Sequence, residues 1–136
     1  MIFQGGNTPV EDSELLARFV VFSKWIRKKD QTVKQDAFIP HPYPELSVNR
    51  HDGNRDKELS DVGRSVAEKR ERTFYGWANV SAAAVRKTKL GVEAAPIKVN
   101  PNHANIIGWP KEKNDQKSCA LEMAAAASNL VRPSRG

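Results

Sequence analysis

Between Asp56 and Arg72 the apolar residues Leu59, Val62, Val66 and Ala67 recur at the spacing of a single helix face. The segments on either side change period and alternate every second residue. A chain that changes period in this way must build a sheet and cover it with helices, which makes the fold class α+β. The ends of the helical stretch agree. Asn54 or Asp56 can cap it, Glu58 and Asp61 place negative charge in its first turns, and Lys69, Arg70 and Arg72 close it.

Upstream, Leu15 to Arg27 is rich in aromatic and β-branched residues. A helix starting after Ser13 competes there, but it would scatter Arg18, Lys24 and Lys28 around its circumference, so a strand is the reading taken. Lys28 to Thr32 then reads as a turn and Val33 to Ile39 as its partner strand. Pro40, Pro42 and Pro44 call for extended backbone, and Glu45 to Arg50 alternates like a half-buried strand. Downstream, Phe74 to Val80 is a strand, and Ser81 caps a short helix from Ala82 to Lys89. Val92 to Val99 is a strand whose Pro96 suits a sheet edge, and His103 to Gly108 is another. Pro110 fits the first position of a last, alanine-rich helix reaching Leu130. Short links between the early strands predict antiparallel pairing. The expectation is a two-layer sandwich, a largely antiparallel sheet with two main helices and one short one.

A length of 136 residues suits one domain, placed at 13–131, with flexible segments at 1–12 and 132–136 where apolar periodicity is lacking. Met1 to Gly6 lacks the pattern of a secretory signal, and no run approaches the roughly eighteen apolar residues of a membrane span. The single cysteine, Cys119, fits a reducing compartment, so the expected location is cytoplasmic. A net charge of +6 permits phosphate-bearing partners without demanding them.

No Gly-rich phosphate loop, HExxH, Gly-x-Ser-x-Gly or Cys-x-x-Cys occurs, and neither a cofactor nor a metal is expected. Asp52, Asn54 and Asp56 imitate a calcium loop, but Lys57 and Gly63 stand where glycine and glutamate belong. Three arrangements could still work. Arg50, His51 and His103 lie at strand–loop junctions, and meeting in a cleft they could process a phosphodiester. Lys24, Arg27, Lys28 and Lys29, then Arg86 and Lys87, then Lys111 and Lys113 are interspersed with aromatic rings, as a single-stranded nucleic-acid surface requires. Finally, Asn105 and Trp109 stand in the polar, proline-bounded run Asn100 to Pro110, where an indole on a rigid corner can anchor a partner protein. The reading is a small basic, non-catalytic binding module or accessory subunit contacting single-stranded nucleic acid or another protein. The alternative is a metal-independent phosphodiester or nucleotide-processing enzyme.

Overall fold

Alternation along the chain becomes five strands in one antiparallel sheet. A computed structural model describes residues 3–40 and 42–134; Met1, Ile2, His41, Arg135 and Gly136, and the readings that fall on them, lie outside the described residues. The elements are β1 (Leu15–Val20), β2 (Leu46–His51), α1 (Asp56–Lys69), β3 (Gly76–Ser81), α2 (Ala82–Lys87), β4 (Gly91–Ala94), β5 (His103–Ile107) and α3 (Lys113–Ala126). The strand order is β3-β1-β2-β5-β4, with every neighbouring pair antiparallel. This is the expected α+β sheet with two long helices and one short one, and β4, which precedes Pro96, is an edge.

Strand alternation sorts the core. Leu16 and Val20 of β1, Leu46 and Val48 of β2, Ala78 and Val80 of β3, and Ala104 and Ile106 of β5 share one cluster with Ala120 and Met123 of α3. The intervening Ala17 and Trp77 meet Leu59 of α1 in a smaller cluster, with Phe19 and Phe74 beside it. A fully buried Leu, Ile or Met contributes roughly 1.5–3 kcal/mol, so the larger cluster dominates the stability.

Several expectations are corrected. The strand read over Leu15 to Arg27 ends at Val20, with Ser23–Trp25 in a 3-10 turn, and the one read over Val92 to Val99 ends at Ala94, before Pro96. The last helix stops at Ala126, short of Leu130. Val33 to Ile39 is no strand: Val33 makes one bridge to Ile26, and Gln35–Phe38 coils into a 3-10 turn. Ala37 and Phe38 are adjacent and both fully buried. A strand would send them to opposite faces, whereas the turn puts both into the main core. The proline segment also turns, with Tyr43 N–H donating to the Pro40 carbonyl at 2.9 Å. The long helices differ at their starts. Arg55 precedes α1 with no side-chain cap, and α3 begins at Lys113 instead of Pro110. The α2 cap is as expected, the Ser81 hydroxyl accepting from Ala84 N–H at 3.0 Å.

Among the described residues both end segments make contacts with the rest of the chain. Val10 is buried in the main core, and Arg50 donates to the carbonyls of Gly6, Thr8 and Pro9. At the other end Ser134 N–H donates to the Ser60 hydroxyl at 2.8 Å, and its carbonyl accepts from Arg64.

Candidate functional site

The β1–β2 ladder holds the pairs Leu15↔His51, Leu16↔Arg50 and Ala17↔Asn49, and goes no further. Yet β1 continues to Val20, and β2 begins at Leu46. The two strands part company, and a cleft of about 740 Å³ opens at the split. Arg18, Phe19, Phe22 and Trp25 line it from the β1 side and Leu46 to Asn49 from β2. The wall from α1 is Val62, Ser65, Val66, Lys69 and Arg70, and Ile97, Val99, Asn100 and His103 complete the other side.

Arg18 stands at the closed end of this split, one residue beyond the last pair. Its Nε donates to the Ala37 carbonyl at 2.6 Å and its Nη1 to the Ser47 carbonyl at 3.1 Å. It therefore satisfies a β2 carbonyl beyond the last β1–β2 pair. The guanidinium also lies 5.5 Å from the Trp25 ring centre. No carboxylate pairs with it among the described residues. Burial, and then the charge of Arg70, pull its pKa from 12.5 down to about 10. An arginine held in this way carries a desolvation cost that a bound anion would offset. Lys69 and Arg70 complement the α1 macrodipole at its C-terminal end, which explains their presence there. That account does not extend to Arg18. Among the described residues Glu45 is the one carboxylate lining the cleft. Rings are available too: Tyr43 is 67% exposed, and Phe22 carries Arg72 at 4.5 Å and Lys24 at 5.5 Å from its centre.

The sequence-predicted catalytic trio is not assembled. Arg50 and His51 are consecutive on β2, so their side chains leave opposite faces of the sheet. Arg50 Nε and Nη2 each donate to Glu14 at 2.7 Å, and its remaining donors hold the N-terminal segment. No part of that guanidinium is left for a substrate. His51 is buried, and Gly53 N–H donates to its Nδ1 at 3.0 Å. The proton therefore sits on Nε2, which donates to Asn79 Oδ1 at 2.8 Å. His103, opposite Asn49, faces the cleft, its Nδ1 donating to the Ala95 carbonyl at 2.9 Å. Beside it Asn49 and Asn100 exchange reciprocal amide hydrogen bonds at 2.8 and 2.9 Å, which fixes the loop to the sheet.

Burial lowers the His51 pKa below its ordinary 6.5. The sign follows from linkage. As pH falls below 6.5 the unfolded chain takes up a proton that the folded ring refuses, so stability present above 6.5 is lost on acidification. Urea unfolding at about pH 7.5 and pH 5 is expected to show this loss, and His51→Gln to remove part of it; an unchanged slope in the variant would refute the assignment.

The predicted cationic surface is dispersed. Lys24, Arg27, Lys28 and Lys29 follow the Val20 end of β1, whereas Arg86 and Lys87 follow Ser81, which pairs with Leu15 at its other end. These groups stand roughly 17 Å apart along the strands. Arg86 is also committed to Asp12 at 2.6 Å and to the Val10 carbonyl. Lys111 and Lys113 lie at the start of α3, and the 27–32 turn meets the chain beyond its end, where Leu130 N–H donates to the Gln31 carbonyl. A 14-residue helix separates the two by roughly 20 Å. Asn105 is 8% exposed. Trp109 is half-buried against the main core with its Nε1 donating to the Ile106 carbonyl at 2.9 Å, so it staples the β5–α3 corner.

Sequence reasoning missed Arg18, Lys69 and Arg70 as a group. One signal was present: Arg18 is the lone charge in the run Leu15 to Phe22, where an unexplained charge marks a special position. Among the described residues no three His, Cys, Asp or Glu side chains gather as metal ligands, and no helix is long and apolar enough to cross a membrane. No protein-family model matches the chain, and no curated protein or solved structure matches it.

Proposed function

We propose that the protein is a small non-catalytic binding module that receives single-stranded nucleic acid in the β1–β2 cleft. One observation carries this reading: Arg18, a guanidinium with no carboxylate partner, lies in a cleft it shares with Lys69, Arg70 and aromatic rings. Cations that neutralise phosphates, next to rings that stack on bases, are the two components of single-strand binding. The cleft volume of about 740 Å³ lies within the range of ligand sites.

Fluorescence anisotropy with a labelled oligonucleotide tests it. Three phosphate contacts, at about 0.7 counterions released per charge, give a roughly twentyfold fall in affinity between about 50 and 200 mM salt. Tyr43→Ala is expected to weaken binding about tenfold through lost stacking. Absence of binding at the lower salt removes the reading. A second reading, an accessory subunit, draws on the exposed apolar Ile97 and Val99, at 51% and 67%, on the cleft rim. It predicts a salt-insensitive protein complex that Val99→Asp disrupts.

A further inference from the structure

We infer that the cleft recognises a chain end, a terminal phosphate of a single strand docking on Arg18 with Lys69 and Arg70 around it. This rests on the nucleic-acid reading and adds a substrate class to it. The split closes along the strands. Beyond Arg18 the β1–β2 ladder resumes at Ala17↔Asn49, so a chain lying along the split meets its closed end at the guanidinium. An internal phosphodiester carries a sugar on each side and needs a groove open at both ends, whereas a terminal phosphate needs only one way in.

The donor arithmetic agrees. A guanidinium has five N–H donors. Arg18 spends one on the Ala37 carbonyl and one on the Ser47 carbonyl, and no acceptor among the described residues takes the Nη2 pair. Those donors suit the oxygens of a phosphate in the planar fork that arginine prefers. Charge agrees as well. A phosphate monoester carries about 1.5–2 negative charges near neutral pH against one for a diester. Three cations facing one carboxylate, Glu45, favour the more highly charged group. The exposed Tyr43 ring, on the same lining, is placed to stack on the terminal base.

The test uses the full chain and an internally labelled single strand of about six nucleotides, phosphorylated at one end, at the other, or at neither. Affinity is expected to rise about tenfold for one phosphorylated form over the unphosphorylated strand, with inorganic phosphate and a nucleoside monophosphate competing. The Arg70 and Lys69 side chains make no hydrogen bond among the described residues, so Arg70→Ala and Lys69→Ala leave the fold intact. Each is expected to remove about three- to tenfold of the preference for the phosphorylated end, while binding of the unphosphorylated strand changes less. Arg18→Gln is expected to abolish the preference, with circular dichroism confirming the fold. Equal affinity for all three strands overturns the chain-end inference and leaves the nucleic-acid reading standing. No binding of any strand removes both.

Discussion

Replacing Arg50 with methionine is expected to destabilise the protein by about 3–5 kcal/mol, the usual consequence of removing one partner of a buried ion pair. The side chain is fully enclosed, and Glu14 beside it is 7% exposed. Methionine would leave the Glu14 carboxylate without its cation and the carbonyls of Gly6, Thr8 and Pro9 without their donor. Each unsatisfied buried group costs about 1–3 kcal/mol, less where water can reach it. Urea unfolding would report this as a lower midpoint at an unchanged slope, and limited proteolysis as early cleavage near residues 6–10. Pairing Arg50→Met with Glu14→Leu is expected to recover part of the loss, because the carboxylate goes but the three carbonyls remain unpaired. A single-variant loss below about 1 kcal/mol would mean that the N-terminal segment is not held by this side chain.

Arg50 also shows how far the sequence could be read. Its guanidinium was a natural choice for a catalytic group because it neighbours a histidine and a strand end. Its true role depends on Glu14, 36 positions away, and on carbonyls more than 40 positions away. Nothing local announces such partners. Elements whose causes are local were legible: α1 from its apolar spacing, the Ser81 cap, and β2 from its alternation. The segment after Val33 was not. Its composition favours a strand, but burying both Ala37 and Phe38 in one core requires a turn, and the tertiary demand wins.

The cleft follows the same division. The lone charge of Arg18 in an apolar run could be seen. Its neighbours could not, since Lys69 and Arg70 reach it only because α1 packs across β1 and β3, and because β1 and β2 separate at Ala17. A split between two strands leaves no signature in either one. The lysine clusters had the opposite fate. They were conspicuous in sequence, but they are distributed to separate ends of the sheet and of α3 by connections that only the topology specifies.

Gly76→Ala is expected to cost about 2–4 kcal/mol, combining backbone strain with a collision that nothing nearby can relieve. Gly76 opens β3 at φ +138°, and a Cβ there would stand 2.1 Å from the Val131 carbonyl oxygen and 3.1 Å from its carbon. Both are backbone atoms, so no rotamer change makes room. The Val131 carbonyl is also fixed in place, accepting from Trp77 N–H at 3.1 Å while Val131 N–H donates to the Trp77 carbonyl at 2.8 Å. This short bridge covers part of the outer edge of β3, which would otherwise present unpaired groups to other chains. Alanine must push the 130–134 segment away, uncovering the edge and the fully buried Trp77 beneath it. A melting temperature about 10 °C lower follows for a domain of this size, together with concentration-dependent association through the opened edge. Gly6→Ala is the control, because Gly6 also has a positive φ, +58°, but no atom of the described residues lies within 4 Å of the added carbon. Strain alone is expected there, about 1–2 kcal/mol. If Gly76→Ala proves no more costly than that control, the C-terminal segment does not hold the edge of β3 in solution.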